Sequence, residues 1–488
     1  MMSFGYDLAV IGGGSGGLPA ARLAAALGAR VVLIDGERLG GDCLHYGCVP
    51  SKTLIHVAKV ARCVREATGW GIVPDSGGAG SGVDMARISQ RIQGAIERVG
   101  QMEQPYVEGV DVRFGQVRFR SARELQLDRR IIAARSVIIA TGSRPRVPSI
   151  PGLAEVGYWT NRDLFDLTCL PRSLIVAGGG PIGCEMAQAF ARLGTRVLLI
   201  QGPDRLLPRE DPEVSAAVAA TLQREGITVV TGARVERVCR ENGQRVVKAR
   251  RGADIVAFAG DELLIALGRE PNVAELNLEA AGVDYDAQGI RVNRYLQTSA
   301  PTIYAIGDVI GGYLFTHVAA YQAGVATRNA LVPVARKKVD YRVVPWVTFT
   351  DPEAARVGLT EEEARTKLGR IRVIRLPWRA IDRAQADGET EGFIKLIVAG
   401  KDDTIVGAHL VGARAGEVLG EVTLAMRHGL GLSAILATIH AYPTLTTGLQ
   451  QAAFEAYLGS NARTNARRII RPALALRAVL ARAGIRRR

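Results

Sequence analysis

The chain reads as an α/β protein: two Rossmann-like dinucleotide-binding units followed by a C-terminal α+β domain. Three features of the 488-residue sequence predict this. A glycine turn joins a strand to a helix near the start, the same unit recurs 166 residues further on, and the pattern changes from about Tyr341. At this length two to four domains are expected rather than one core. Hydrophobic residues make up 48%, enough to bury large cores.

The first unit runs from strand Leu8–Ile11 through Gly12-x-Gly14-x-x-Gly17 into helix Leu18–Leu27, then strand Val31–Ile34, ending at Asp35. Glycines in such a turn let the backbone approach a pyrophosphate at the helix N-terminus, and the terminal acid is placed to accept hydrogen bonds from a ribose. A lone glycine fingerprint is weak; here the strand, helix and acid accompany it. The second unit has strand Leu174–Ala177, Gly178-x-Gly180-x-x-Gly183, a helix through Leu193 and strand Val197–Ile200. The two align without a gap, Gly28 matching Gly194 and Asp35 matching Gln201. Two working nucleotide sites are therefore expected.

Between the units lie an Arg-rich helical segment, a Gly/Ser-rich surface loop at 75–82, and short alternating strands around Val110–Ile132. The apolar strands Ser136–Gly142 and Ile303–Asp308 each end in a glycine turn, and an acid such as Asp308 at a strand end points into the ligand crevice of an open sheet. Beyond Tyr341, strands are expected near Val343–Phe349, Ile371–Leu376 and Phe393–Val398, and helices near Gly416–His428 and Leu449–Tyr457.

Two of the six cysteines, Cys43 and Cys48, sit in Gly40-Gly-Asp-Cys-Leu-His-Tyr-Gly-Cys-Val-Pro-Ser-Lys52. Continuous helix would separate them by ~7.5 Å along the axis at ~1.5 Å per residue. A disulfide needs Cα atoms roughly 4.4–6.8 Å apart. The pair meets only if a turn intervenes, and Gly47 supplies it. Cys63, Cys169, Cys184 and Cys239 read as buried structural thiols.

Six cysteines make no disulfide scaffold, and the early apolar strand leaves no room for a secretory signal, so a reducing cytoplasm is expected. No apolar run reaches the ~18 residues that span a membrane. The net charge of +14 is uneven: residues 459–488 hold nine arginines and no acid, leaving the body near balance. A short basic helix, Ala473–Ala483 after Pro472, reads as a solvated, partly disordered tail, with an anionic lipid surface at the inner membrane face or an acidic partner as the alternatives. With no aromatic residue in the tail, nucleic-acid binding is not expected.

Taken together, Cys43-x-x-x-x-Cys48-Val-Pro-Ser-Lys52, Ala140-Thr141-Gly142, Gly268-Arg-x-Pro-Asn272 and Gly307-Asp308 resemble the pyridine nucleotide-disulfide oxidoreductases of the glutathione reductase, dihydrolipoamide dehydrogenase and mercuric reductase group, over residues 5–458. The resemblance implies FAD bound by residues 1–150 with 271–338, NADH or NADPH by 151–270, and a homodimer formed through 339–458. It places FAD against Gly12, Gly14, Gly17, Asp35, Gly41, Lys52, Gly115, Ala140, Thr141, Gly142 and Asp308. The nicotinamide coenzyme falls to Gly178, Gly180, Gly183, Gln201 and Gly268, with no resident metal. Lys52 is implied to pair with Glu185 beside the flavin, Cys48 to face the ring, and Cys43 to meet a small disulfide, a lipoyl group or Hg(II).

The chain departs from the family pattern at His440-Ala-Tyr442-Pro-Thr-Leu-Thr-Thr447. Disulfide reductases of this group carry there a His and a Glu that act as acid-base across the dimer; here Tyr442 and Thr447 stand in their places. Tyrosine, with a pKa of ~10, is a poor base but can donate a proton. His440 faces the same side if the segment is extended. His45, between the cysteines, shuttles protons or packs. Coenzyme choice stays open: Gln201 leans toward NADPH and Gly183 toward NADH, while Arg205, placed to meet a phosphate, is also ordinary in the family at such a loop. A membrane-held electron-transfer flavoprotein is the reading of a different class.

Overall fold

A computed structural model describes residues 4–73, 82–332, 334–459 and 461–482. The chain forms two compact units, residues 1–208 with 219–341, and residues 209–218 with 342–488.

In the first unit, β-branched and leucine-rich runs form central parallel strands. One sheet orders Asp111–Phe114, Val31–Asp35, Tyr6–Ile11, Arg130–Ile139, Glu124–Leu127 and Val117–Ser121, and Ile303–Ala305 joins it beside Arg130–Ile139. Leu8, Ala9 and Val10 are fully buried, as a strand covered on both faces requires. A second, four-stranded parallel sheet orders Thr228–Val230, Arg196–Ile200, Ser173–Ala177 and Glu262–Ile265. A three-stranded antiparallel sheet, Ala233–Glu241, Gln244–Arg251 and Asp254–Gly260, completes the unit's main sheets.

The repeat holds at the level of single bonds. Leu8 pairs with Val31 and Leu174 with Val197. The Gly12 amide donates to the Ile34 carbonyl at 2.7 Å, and the Gly178 amide to Ile200 at 2.8 Å. In each turn the third glycine is required by close packing of helix on strand. A Cβ on Gly17 would lie 1.7 Å from the Gly12 oxygen, and one on Gly183 would lie 1.8 Å from that of Gly178.

The second unit is a five-stranded antiparallel sheet in the order Pro345–Thr348, Glu353–Gly358, Thr404–Gly412, Phe393–Ala399, Ile371–Pro377. Helices Ala415–Arg427 and Thr447–Leu458 cover it through Leu419, Val422, Leu449 and Ala453. Within this unit Lys395, almost fully buried, donates to Asp211 at 2.9 Å and to Glu213 at 2.7 Å, so segment 209–218 is held by a satisfied ionic cluster.

Three expectations change. Cys184 is buried, but Cys63 and Cys169 are exposed and Cys239 is half-buried. Helix Cys48–Glu66 buries the stripe Pro50, Ser51, Leu54 and Ala58, which leaves Cys63 off the packed face. The tail helix spans Asn461–Arg482 and runs through Pro472 rather than starting after it. The expected loop at 75–82 lies outside the described residues except for Gly82. Among the described residues no helix is long and apolar enough to cross a membrane.

The glycines separate folding from binding in a testable way. Gly183→Ala should lower stability by about 1–3 kcal/mol through overpacking. Gly180→Ala, where a Cβ meets nothing within 4 Å, should stay within about 0.5 kcal/mol of the parent. Chemical denaturation of both variants checks the contrast.

Candidate active site

The redox loop is built by two helices meeting at Gly47. Gly41–His45 is a single short helix, and Cys48 is the first residue of the 19-residue helix Cys48–Glu66. A Cβ at Gly47 would lie 2.9 Å from the Asp42 oxygen and 3.1 Å from the Cys43 Cα. Its backbone φ is −122°, so close approach, and not left-handed geometry, is what demands glycine there. Cys43 and Cys48 are both free thiols, hydrogen-bonded to each other.

The two thiols are electrostatically unlike. The hydrogen bond from Cys43, with help from Thr316 and the Lys52 ammonium, lowers Cys48 to about 6 against the cost of burial. Thr316 Oγ1 lies 3.4 Å from the Cys48 sulfur. Cys43, giving its proton to that bond and partly desolvated, is pushed strongly upward. A thiolate at a helix N-terminus near a lysine is the expected arrangement for a reactive cysteine. Lys52 stands one helical turn past Cys48, and its Nζ donates to Glu185 Oε2 at 2.8 Å. Glu185 is buried on helix Pro181–Leu193, so the second nucleotide-binding motif supplies the counter-charge for the first unit's lysine.

The remaining motifs converge. Thr141 Oγ1 donates to the Asn272 carbonyl and Asn272 Nδ2 to the Thr141 carbonyl, at 2.8 and 2.9 Å. Ser143 donates to Asp308 at 2.6 Å. Burial raises the Asp308 carboxyl, opposed by that bond and by Arg269. Arg269 donates to Asp42 at 2.8 Å and to Ser143 Oγ at 2.7 Å, and lies 3.6 Å from Asp308. Gly115 follows strand Asp111–Phe114 and donates to the Asp35 carbonyl at 2.9 Å.

Asp35 accepts from the amides of Gly13, Glu37 and Arg38 at 2.7, 2.9 and 3.1 Å. Gln201 is buried, and its Oε1 accepts from the Gly179 amide at 2.7 Å. Both residues thus tie down the second residue of their glycine turn. His45 Nε2 is bound to the Leu39 carbonyl at 2.8 Å, and burial lowers its pKa.

In the second unit, His440 and Tyr442 do not act as a pair. His440 Nε2 lies 2.9 Å from Glu421, whereas the Tyr442 hydroxyl donates to Asp382 at 2.9 Å. That bond raises the Tyr442 pKa, and the ring is 72% exposed. Thr447 is buried at the start of helix Thr447–Leu458.

Sequence reasoning missed Ser143 and Thr316, and it met Arg269 only inside its motif and Tyr46 only as a departure within the redox loop, without their contacts. Tyr46 is flanked by the guanidinium groups of Arg38 and Arg162, 5.2 and 5.0 Å from its ring centre. Arg269, Ser143 and Thr316 find their partners more than a hundred residues away, at Asp42, Asp308 and Cys48, which no local pattern reveals.

Residues 6–324 match the family model of pyridine nucleotide-disulphide oxidoreductases, and 344–453 match the dimerisation domain of the same family. The chain belongs to this family. It is 36% identical to a mercuric reductase from Staphylococcus aureus, over 92% of this chain and 82% of that protein. A dihydrolipoyl dehydrogenase from Thermus scotoductus is 37% identical over 92% and 96%. Among solved structures, the HOCl-induced flavoprotein disulfide reductase RclA from Escherichia coli superimposes with a TM-score of 0.82 at 31% identity, covering 91% of this chain and 99% of that one. Its Cu(II) complex matches equally well, with a TM-score of 0.83 and coverage of 93% and 99%. This oxidoreductase therefore uses FAD and NAD(P)H, as family members do.

The residues present fit both groups. The Gly14 and Gly41 backbones approach closely, a Cβ on Gly41 lying 2.8 Å from the Gly14 Cα, so bare main chain is what a phosphate would meet there, and Gly180 opens on empty space.

The thiol asymmetry is checked by titration. Thiolate absorbance of the reduced protein should rise with a midpoint near 6, the value to which Cys48 is lowered. Cys48→Ser should remove this step, and Lys52→Met should move it upward. A midpoint at the ordinary cysteine value of ~8.5 would overturn this picture.

Proposed function

We propose that this oxidoreductase draws electrons from NAD(P)H through FAD into the Cys43–Cys48 pair and delivers them to a thiol-reactive acceptor, best a soft metal ion such as Hg(II). In this reading residues 1–150 with 271–338 hold FAD, 151–270 hold the nicotinamide coenzyme, and 339–458 form a homodimer. The match of residues 344–453 to the family's dimerisation domain supports that dimer, and Leu424, Ile439, Tyr442 and Phe454 in this region are exposed.

FAD, when bound, supplies the two-electron carrier between nicotinamide and sulfur. Gly12, Gly14, Gly17 and Gly41 would cradle its phosphates, with Asp308 toward its ribityl chain and the Lys52 ammonium beside the ring. Glu185 offsets the cost of holding that ammonium in a partly dry site. Gly178, Gly180 and Gly183 would receive the coenzyme. Cys48 holds a thiolate and Cys43 a thiol.

The acceptor is argued from one observation, the bond from Tyr442 to Asp382. It keeps the phenol protonated where the family's disulfide reductases place a base. Cys43, whose proton is tightly held, then has no strong base to free it for attack on a disulfide. A soft metal needs none, because coordination itself deprotonates a thiol. Both sulfurs bind the ion and the Cys43 proton leaves to solvent. Two electrons pass to the metal, and the sulfur–sulfur bond closes. Similarity to a mercuric reductase, and the Cu(II) complex of RclA, support this choice. The second reading, a small disulfide or lipoyl acceptor, is favoured by the near full-length similarity to a dihydrolipoyl dehydrogenase.

Steady-state NAD(P)H oxidation with Hg(II), lipoamide and glutathione disulfide decides between them. Hg(II) turnover should exceed either disulfide by roughly 10²-fold, the size of a missing general base, and Cys43→Ser should abolish it. Lipoamide reduced faster than Hg(II) would assign the chain to the second reading.

A further inference from the structure

A cavity of about 550 Å³ opens in the first unit beside the second glycine turn, lined in part by Gly178, Gly202, Arg146 and Arg234. We infer that Arg146 and Arg234 receive the 2′-phosphate of the coenzyme's adenosine ribose, so that the chain prefers NADPH to NADH. This rests on the reading of residues 151–270 as the nicotinamide coenzyme's site.

Charge and position carry the inference. Both guanidinium groups are exposed, and neither is paired with a carboxylate among the described residues. The acid on the lining, Glu236, is already neutralised, since Arg250 donates to its two oxygens at 2.6 and 3.0 Å. Arg250 sits directly across the antiparallel ladder from Arg234 and is committed to Glu236, so that ion pair leaves the charge of Arg234 uncancelled. The main chain fixes both arginines. The Arg146 amide donates to the Gly268 carbonyl at 2.9 Å, and Ala233, just before Arg234, donates to the Gln201 carbonyl at 3.0 Å.

The position that would reject a phosphate is neutral. A carboxylate at the end of the second strand binds ribose hydroxyls and repels a 2′-phosphate. Here that residue is Gln201, 6% exposed, its side-chain oxygen already taken by the Gly179 amide. Arg205, the arginine that the sequence points to, donates instead to the Pro208 carbonyl at 3.1 Å and does not line the cavity. The lining therefore has two open cationic forks and no free anion. That suits a phosphate monoester, which is close to dianionic at pH 7, better than a hydroxyl.

The test needs no electron acceptor. Calorimetry on the flavin-loaded protein compares adenosine 2′,5′-bisphosphate with adenosine 5′-monophosphate. The bisphosphate should bind at least roughly tenfold tighter, as expected for charge-assisted hydrogen bonds. Arg234→Ala and Arg146→Ala should each erode that ratio while leaving the monophosphate unchanged. Anaerobic mixing should reduce the flavin faster with NADPH than with NADH. Equal binding of the two probes, variants that weaken both alike, or faster reduction by NADH would overturn the preference. If neither probe binds and neither coenzyme reduces the flavin, the assignment of residues 151–270 falls with it.

Discussion

The redox chemistry depends on the missing side chain at Gly47. The helix holding Cys43 and the helix beginning at Cys48 meet at that residue, which leaves little space for a side chain. A Cβ there would meet the Asp42 oxygen at 2.9 Å and the Cys43 Cα at 3.1 Å, so main chain in the cysteine loop would have to shift to admit it. The same register does two more things. It makes Cys48 the first residue of a helix, where partial positive charge favours a thiolate. It also puts Lys52 four residues on, on the same face as the sulfur. Thiol contact, thiolate stabilisation and a nearby cation all follow from one steric permission.

Around that loop lies a second layer of polar contacts drawn from distant parts of the chain. Arg269 holds Asp42, Ser143 and Asp308 at once. Removing its charge would leave two half-buried carboxylates facing one another, and burial already biases Asp308 toward protonation. The arginine is thus an electrostatic keystone as well as a strap between the redox loop and the end of strand Ile303–Ala305. Tyr46 acts similarly on the other flank, its carbonyl accepting from Asn161 at 2.8 Å.

What the sequence revealed and what it concealed divide along distance. Strands, glycine turns and the duplication are written in consecutive residues, and the structure reproduces them with matching registers. The need for a turn between the cysteines was legible too, although the reason for glycine proved to be steric. Lys52 and Glu185 were paired only through the family resemblance, because nothing local links residues 133 apart. Thr316, 268 residues from Cys48, was out of reach altogether. The cysteines outside the loop were misjudged because residue type alone does not say which side of a helix faces inward. Cys63 lies off the packed stripe of its own helix.

The duplication separates what the fold requires from what the ligand requires. Asp35 and Gln201 occupy equivalent places and each accepts the amide of the residue after the first glycine, both at 2.7 Å. An acceptor at that point is therefore a condition of the turn, satisfied equally by a carboxylate and an amide. The negative charge is an additional property, present in the first unit and dropped in the second. Losing it keeps the bond to the turn's own amide but not the two further amide bonds that Asp35 accepts from Glu37 and Arg38, and it changes the potential felt in the neighbouring cavity, which Arg146 and Arg234 line. In this pair of units the hydrogen bond serves folding, and the charge is what remains free to serve recognition.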